Sequence, residues 1–252
     1  RNRCGSKCMR VLVAPLNWGL GHAARCVPLV NRFLAQGDEV VLGGDGESLL
    51  LLRKHFPTLK VVHLADLSLS YSTDRSQIGA MLRALPKIVR AAWADHRLLG
   101  ELLERELFDL VVSDNRFGLF SRKTRCVYIT HQLHIRLPRR YRRLEPLAAW
   151  LHGWIGRHYS EVWVPDYEEA ERSLSGALGH TEKRRYGIVR YIGPLSRFAG
   201  MKEPMHPNII GYFEVVAVLS GLEPQRSMLE DEIVSRYSGK EERVLIVEVK
   251  PG

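Results

Sequence analysis

The sequence has little cysteine and no long uncharged apolar run. Nowhere do about 18 apolar residues follow one another without a charge, which excludes a transmembrane helix in these 252 residues. No apolar stretch follows the charged first residues, so we predict no secretory signal, and we expect residues 1–8 to lie outside the native domain. The four cysteines form no second close pair and have no histidine at ligand spacing. This argues against a zinc site and predicts reduced, mostly buried thiols in a cytosolic protein.

Acidic residues are fewer than basic residues. Lys and Arg number 37 against 28 Asp and Glu, which gives a formal net charge of +9. Such a balance favours anionic partners, namely phosphorylated small molecules, an anionic membrane face or nucleic acid, and charge alone does not separate them. With 45% hydrophobic and 26% charged residues, the composition is that of an ordinary globular protein.

Short β-rich runs alternate with longer helical runs, which is typical of parallel α/β structure. The sequence predicts two Rossmann-like, doubly wound parallel-sheet domains. The first spans 9–197, a Pro- and Gly-containing linker spans 198–213, and a second domain begins at 214. The second domain offers one β-α-β unit before 252. Because parallel strands need helices on both faces, we expect it to be truncated and the chain to be a fragment. The predicted strands are 10–15, 39–43, 60–64, 108–113, 125–130, 161–164, 189–192, 214–219 and 243–249, and the predicted helices are 22–36, 47–55, 77–106, 144–159 and 225–237.

The loop after the first strand reads Asn-Trp-Gly-Leu-Gly-His-Ala-Ala-Arg over 17–25. Gly19, Gly21 and Ala24 fit the dinucleotide fingerprint G-x-G-x-x-G/A, and Asp45 follows the second strand where a ribose-binding acid is expected. However, three residues separate the strand from Gly19, whereas the fingerprint turns directly off its strand. A tight turn that needs small residues is the other structural interpretation. Either way, the free N–H groups at the helix start favour a nearby anionic or polyol group.

The motif Gly-Leu-Gly-His-x-x-Arg resembles the acceptor loop of two-domain (GT-B fold) glycosyltransferases, both the plant-type enzymes that act on small molecules and the N-acetylglucosaminyltransferase that completes the peptidoglycan lipid precursor. Four further stretches strengthen the resemblance over residues 9–252. Together they are similar to an uncharacterised bacterial group related to the lipid-precursor enzyme. The stretches are Ser-Asp-Asn-Arg-Phe-Gly at 113–118, Tyr-Ile-Thr-His-Gln at 128–132, Ile-Gly-Pro-Leu-Ser-Arg-Phe at 192–198 and Ser-Gly-Leu-Glu-Pro-Gln-Arg at 220–226.

Sugar transfer to a hydroxyl needs a base, and an imidazole suits that task near neutral pH. His22 and Asp114 both follow strands, and ligands bind at the carboxyl ends of strands in open parallel sheets. The predicted catalytic pair is therefore His22 as base and Asp114 as the carboxylate that orients it, which is also the dyad that the resemblance to plant-type enzymes implies. A helix-start residue and a helix cap are the structural alternatives for the two.

The remaining site residues divide into an acceptor set and a donor set. In related enzymes the turn that opens the second domain receives the donor's phosphates at a helix start, although Glu223 is awkward beside phosphate. For His131, Arg25 and Arg116 a structural role or a surface salt bridge is an equal alternative. The predicted acceptor residues are Gly19, Gly21, Arg25, Asn115, Arg116, His131 and Gln132, and the predicted donor residues are Gly221, Gln225 and Arg226.

The segment 136–159 is the most unusual candidate surface. Five arginines precede a helix that carries Trp150 and Trp154 on its apolar side. This pattern favours contact with an anionic membrane face. The alternative is a helix that packs on the sheet beside solvated arginines. Nucleic acid is weaker as a partner, because no nucleic-acid-binding motif accompanies the charge.

The sequence thus predicts a cytoplasmic glycosyltransferase, with peripheral membrane contact as a further expectation. It would move a hexose or N-acetylhexosamine from a nucleotide sugar to a hydroxyl or lipid-linked acceptor. We expect no cofactor and no metal, since no D-x-D-like motif occurs. A nucleotide-sugar 2-epimerase of the same architecture and a non-catalytic nucleotide- or polyphosphate-binding module stay open. As a fragment, the chain is expected to be inactive and to bind nucleotide sugars poorly.

Overall fold

The computed structural model of the chain describes residues 8–65, 77–137, 139–180, 186–199, 212–219 and 225–248, with the backbone alone at 77–84, 225 and 248. The chain divides into two compact units. One consists of Arg1–Ser68 with Lys87–Ala199, and the other of Leu69–Pro86 with Gly200–Gly252. The sequence analysis had placed all of 9–197 in one domain. The predicted linker 198–213 falls mostly outside the described residues, so its boundaries stay a prediction.

Seven parallel strands form the sheet of the first unit, in the order β3-β2-β1-β4-β5-β6-β7. From β1 the chain winds outward to β3 and then returns to place β4 on the other side of β1. The direction of winding therefore reverses between β1 and β4, the kind of point where open α/β sheets bind ligands. The strands are β1 (Arg10–Pro15), β2 (Glu39–Gly44), β3 (Lys60–His63), β4 (Leu110–Asp114), β5 (Arg125–Ile129), β6 (Glu161–Val164) and β7 (Val189–Tyr191).

Apolar side chains cover the sheet on both faces, because successive residues of a strand point to opposite sides. In β1, Val11 and Val13 belong to one buried cluster, which also contains residues of the first two helices. Leu12 and Ala14 belong to a second buried cluster, which contains Leu99 of the third helix. This is the doubly wound arrangement that the alternating pattern predicts, and the prediction of fold class is confirmed.

The helices lie close to their predicted positions. Helix α1 ends at Gly37, whose φ of 86° is left-handed, and the N–H groups of Gly37 and Asp38 close the last turn on the carbonyls of Leu34 and Phe33. Glycine adopts this φ without a Cβ clash, which explains why the helix stops there. The helices between β1 and β7 are α1 (Leu20–Gln36), α2 (Gly46–His55), α3 (Gln77–Arg105) and α4 (Glu145–Gly156), with 3-10 helices at Arg139–Leu144, Ala170–Arg172 and Gly176–Leu178.

The described residues of the second unit after Gly200 form one β-α-β element, and residues 77–86, at the start of α3, belong to the same unit. Strands β8 (Val215–Leu219) and β9 (Val244–Glu248) pair in parallel, with Val215 opposite Val244, and helix α5 (Gln225–Tyr237) connects them. Val216 and Val218, which point to one side of β8, are 57% and 62% exposed. Within the described ranges of the whole chain, no helix is long and apolar enough to cross a bilayer.

Candidate active site

The site lies at the carboxyl ends of β1 and β4, where the sheet reverses its winding. Pro15, the last residue of β1, is the register partner of Asp114, the last residue of β4. The loop after β1 folds back at once, since the N–H of Leu16 donates to the carbonyl of Asp114 at 2.8 Å. Helix α1 then begins above Asp114. Gly19 caps it with a φ of 79°, a backbone conformation that favours glycine.

Asp114 is fully buried, and Arg25 binds both of its oxygens. The Nε of Arg25 donates to Oδ2 at 2.5 Å, and Nη2 donates to Oδ1. The thiol of Cys26, also buried, lies 3.7 Å from Oδ2. Burial alone would oppose ionisation, but the guanidinium of Arg25 outweighs it and lowers the pKa of Asp114 below its ordinary value. Asp114 is therefore a carboxylate held in place by a two-point ion pair.

His22 lies one helical turn before Arg25 and contacts the same pair. Its Nδ1 is 3.1 Å from Oδ1 of Asp114 and 2.8 Å from Nη2 of Arg25. The side chain is 14% exposed, whereas that of Asp114 is inaccessible. The sequence analysis expected His22 and Asp114 on one edge of the sheet, and they lie there within hydrogen-bonding distance. Their catalytic roles stay a prediction.

His131, which follows β5, completes this group. Its Nδ1 is 2.9 Å from Nη1 of Arg25. Burial, and then the positive charge of Arg25, lower the pKa of His131, so its ring is held neutral. We call His22, Arg25, Asp114 and His131 the Arg25 cluster. Three strands that are neighbours in the sheet contribute to it. His22 and Arg25 lie in α1 after β1, Asp114 ends β4, and His131 follows β5.

A second ion-pair group, which we call the Arg116 cluster, consists of Asp45, Asp95 and Arg116. Nε of Arg116 donates to Asp95 at 2.8 Å, and Nη1 donates to Asp45 at 2.6 Å. Nη2 donates to the carbonyl of Ala65 at 2.5 Å. Arg116 is 1% exposed. Its donors are turned inward to protein oxygens, which favours the structural alternative for Arg116 over contact with an acceptor.

The same cluster bears on the dinucleotide interpretation of the first loop. Asp45, the acid expected to grip a ribose, is 7% exposed and binds both Arg116 and the side-chain amide of Asn17, at 3.1 Å. Its oxygens face protein groups, so they do not face a cofactor. Gly118 allows the segment that carries Arg116 to come close to α3. A Cβ at Gly118 would lie 1.9 Å from the carbonyl oxygen of Ala92.

Asn115 lies next to Asp114, and its side chain contacts the first of a series of buried polar groups. Its φ of 55° is left-handed, which is uncommon for a residue with a side chain. The hydroxyl of Tyr128 donates to Oδ1 of Asn115 at 2.9 Å and lies 3.1 Å from Nε2 of His152. Nδ1 of His152 is 2.8 Å from the hydroxyl of Tyr186, which donates to the carbonyl of Leu133 at 2.6 Å. Burial lowers the pKa of His152 to about 4, so this series of groups is uncharged at neutral pH.

Sequence reasoning missed this series of polar groups, and it also missed Asp166. Asp166 follows β6 at the same edge of the sheet and is fully buried. It accepts from the N–H groups of Tyr167, Leu174 and Ser175 at 2.7 to 2.9 Å, and from the hydroxyls of Ser173 and Ser175. These donors lower the pKa of Asp166 despite its burial. A carboxylate that follows a strand and precedes Ser173 and Ser175 is the signal that could have predicted an ordered loop here.

The other predicted residues divide into exposed, backbone-only and undescribed positions. Gln132 is exposed beside His131, and its N–H donates to Thr130 Oγ1 at 3.1 Å. Gly21 is exposed in the first turn of α1, with open space where a Cβ would lie. On the donor side, Gly221 lies outside the described residues, Gln225 is described by its backbone, and Arg226 lies in the first turn of α5. The described residues contain no group of three or more His, Cys, Asp or Glu suited to a metal ion.

Comparison with solved structures matches the fold of this chain to that of glycosyltransferases. The calicheamicin glycosyltransferase CalG4 superposes with a TM-score of 0.58 at 15% identity, over 98% of this chain and 67% of its own. UGT89C1 of Arabidopsis thaliana, complexed with UDP-L-rhamnose, gives 0.54 at 17% identity, over 97% of this chain and 70% of its own. The chain has the GT-B glycosyltransferase fold. At these identities the likeness concerns the fold alone, and the Arg25 cluster occupies the reversal point of the first GT-B sheet.

Sequence comparison finds a relative of higher identity. A curated protein of Methanosarcina acetivorans, named "Uncharacterized glycosyltransferase", is 27% identical over 225 residues. The match covers 80% of this chain and 54% of that protein, so the chain spans about half the length of this curated relative. No family model matches the chain.

Proposed function

We propose that this protein transfers a hexose or N-acetylhexosamine from a nucleotide sugar to a hydroxyl group, with His22 as the general base. The observation that carries the proposal is the contact of His22 with the buried carboxylate of Asp114, 3.1 Å apart where the sheet reverses its winding. A partly exposed imidazole held against a buried carboxylate is the usual composition of a base and its orienting group. The GT-B fold and the name of the curated relative support the same reaction class.

In the proposed step, the oxygen of the acceptor hydroxyl forms a bond to the anomeric carbon of the sugar. The bond between that carbon and the nucleoside diphosphate breaks, and the diphosphate leaves with the electron pair. The hydroxyl proton passes to Nε2 of His22, and Asp114 stabilises the resulting imidazolium from Nδ1. A well-placed base of this kind accelerates a reaction by about 10²- to 10⁴-fold.

Contacts to the substrates complete the proposal. Around the acceptor we assign Asn115, His131 and Gln132, which follow β4 and β5 at the carboxyl edge of the sheet, with Gly19 and Gly21 at the start of α1. For the donor we assign Gly221, Gln225 and Arg226, at and before the start of α5, because a helix start attracts phosphate. UGT89C1 has been crystallised with UDP-L-rhamnose, UDP and quercetin, and a nucleoside diphosphate sugar is the donor class that we extend to this chain.

The test is an activity screen of the full-length gene product against a panel of nucleotide sugars, with glycosylated products detected by mass spectrometry. His22→Gln should lower the transfer rate by about 10²- to 10⁴-fold while donor binding persists. His63→Gln is the matched control, since His63 is an exposed histidine that ends β3 at the same edge of the sheet. Full activity of His22→Gln would contradict the assignment of the base. Epimerised nucleotide sugar without product, or binding without turnover, would contradict transfer.

We further propose peripheral contact with an anionic membrane, which would suit a lipid-linked acceptor such as that of the peptidoglycan-precursor enzyme. The contacting surface, which we call the Arg-Trp surface, combines the basic 3-10 helix with the outer face of α4. Trp150 and Trp154 are 61% and 54% exposed, because α4 packs inward through Ala149, His152 and Gly153. The Arg-Trp surface consists of Arg136, Arg139, Arg140, Arg142, Arg143, Leu147, Trp150, Leu151 and Trp154, in which all five arginines are exposed.

Each basic residue near such a membrane contributes about 1 kcal/mol, and interfacial tryptophans add apolar contact. Co-sedimentation with phosphatidylserine-containing vesicles should exceed that with phosphatidylcholine vesicles and should weaken with salt. Replacing Arg139, Arg140, Arg142 and Arg143 with Gln should abolish the difference. The control replaces the exposed Arg32, Arg53, Lys54 and Lys60 with Gln, which removes the same charge elsewhere. Equal recovery on both vesicle types, or equal loss in the control, would contradict the proposal.

A further inference from the structure

Nδ1 of His22 faces two groups with opposite demands. Nη2 of Arg25, a hydrogen-bond donor, lies at 2.8 Å, and Oδ1 of Asp114, an acceptor, lies at 3.1 Å. A ring nitrogen either carries a hydrogen or accepts one. Only one of the two contacts can therefore be a hydrogen bond at a given time.

The two candidate hydrogens are not equivalent. A guanidinium keeps its five N–H groups at any pH that a folded protein meets, whereas the proton of a neutral imidazole can sit on either nitrogen. Arg25 is also fixed by its two-point contact with Asp114, which raises the pKa of Arg25 although burial alone would lower it. Because Nη2 of Arg25 always carries its hydrogens, we expect the hydrogen bond to form between Nη2 as donor and Nδ1 of His22 as acceptor.

His131 obeys the same logic. Nη1 of Arg25 lies 2.9 Å from Nδ1 of His131, and the lowered pKa of His131 keeps that ring neutral. Its Nδ1 is then the acceptor and its Nε2 carries the hydrogen. One guanidinium thus reaches Asp114 and the Nδ1 atoms of both histidines in the Arg25 cluster.

We propose that Arg25 is a positioning residue that holds His22 of the ligand-free protein as the tautomer with its proton on Nε2. In that state Nε2 is a donor and cannot take a proton from a hydroxyl. The base becomes competent when the guanidinium turns away from Nδ1. Nε2 then loses its proton to water, and Nδ1 gains one and donates it to Asp114. This second step rests on the proposed function, whereas the tautomer of the ligand-free protein does not.

The tautomer can be read directly. Long-range proton–nitrogen NMR spectra of the ¹⁵N-labelled chain distinguish the two neutral forms, and the His22→Gln variant identifies the His22 signals by their loss. The spectra are recorded near pH 8, above the ordinary histidine pKa of about 6.5. We expect protonated Nε2 and bare Nδ1 at His22. A protonated Nδ1 in the unsubstituted protein would overturn the proposal without any variant.

Two variants separate the influence of Arg25 from that of Asp114. In Arg25→Met, His22 should move its proton to Nδ1 and donate it to Asp114. In Asp114→Asn, Arg25 still donates to Nδ1, so the tautomer should not change. Arg125→Met is the control, since Arg125 pairs with Glu161 at the far end of β5. The proposal would be wrong if the tautomer stayed unchanged in Arg25→Met or switched in Asp114→Asn. Asp114 would then determine the tautomer of His22.

The outcome is independent of transfer activity. If the protein shows the expected tautomer but no transferase activity, the proposed function is wrong and the role of Arg25 at Nδ1 is supported. If the protein is a transferase but carries the proton on Nδ1 in its ligand-free form, the proposed role of Arg25 is wrong and the proposed function is supported.

Discussion

Arg25 and Arg116 lie at the same edge of one sheet, and both bind buried carboxylates, yet their surroundings differ. The side chain of Arg116 is 1% exposed, and its donors reach Asp45, Asp95 and a backbone carbonyl. The side chain of Arg25 is 12% exposed, and beyond its carboxylate it contacts two imidazoles. Carboxylates and carbonyls accept permanently, whereas an imidazole can accept, donate or charge.

The difference indicates what each cluster can do. The Arg116 cluster is closed to ligands and joins the loop after β4 to α3 and to the start of α2, so it stabilises the edge of the sheet. The Arg25 cluster has two groups whose protonation can change and a path to solvent, so it can take part in proton transfer. An arginine beside a carboxylate is by itself uninformative, and its remaining partners decide its role.

The largest expected difference between the clusters concerns the transfer rate. Under the proposed mechanism, Asp114→Asn should reduce kcat of the full-length gene product by about 10²- to 10⁴-fold, because the imidazolium of His22 would lose its counter-charge. That corresponds to about 3 to 5 kcal/mol of transition-state free energy. Asp45→Asn, its counterpart in the Arg116 cluster, should leave kcat per folded molecule within a few-fold of the wild type. Steady-state kinetics on fractions shown to be folded would decide this, and similar losses in both variants would erase the functional contrast.

The next effect concerns stability and reverses the ranking. Arg116→Met leaves two buried carboxylates without their counter-charge and should lower the free energy of unfolding by about 3 to 5 kcal/mol. Arg25→Met should cost less, because it leaves one buried carboxylate without its guanidinium, and Asp114 keeps its contact with Nδ1 of His22. Urea titration of both variants measures this. Arg125→Met is the control, expected to cost less than about 1 kcal/mol because the arginine side chain is 49% exposed. An Arg25→Met cost equal to or above that of Arg116→Met would contradict the comparison.

Local sequence patterns predicted the strands, the helices and the residues of the Arg25 cluster. Hydrophobic periodicity, turn residues and strand ends all depend on residues that are close in the sequence. These patterns could not separate Arg25 from Arg116. The partners that bury Arg116 come from α3 and from the turn after β2, and no short spacing connects Asp45, Asp95 and Arg116. For α4, periodicity identified the apolar side with Trp150 and Trp154 but did not show which side faces the core. The small side is buried because Gly156 allows Tyr186 to come close, a contact between distant segments.

A third prediction uses His152, a buried polar group without a charged partner, as a reference for both clusters. Its pKa of about 4 lies below the value of about 6.5 in the unfolded chain. The unfolded state therefore binds more protons between these values, and stability is full above about pH 6.5 and falls as the pH drops toward 4. The loss attributable to His152 is about 3 kcal/mol. Thermal or urea unfolding across this range should show a shallower decline in His152→Gln, and parallel curves would refute the assignment.

The smallest expected effect tests whether the Arg25 cluster itself responds to pH. His131 has a folded pKa below its unfolded value, so its contribution to stability is present above about pH 6.5 and declines as the pH falls through that value. His131→Gln should flatten the decline by less than His152→Gln does, because His131 is more exposed. Since the charge of Arg25 is one cause of the lowered pKa, the effect of His131→Gln on the slope should shrink when it is measured in an Arg25→Met background. An effect that persists undiminished would mean that burial alone sets the pKa of His131. Arg25 would then influence the protonation of His22 alone, as measured by NMR, and not that of His131.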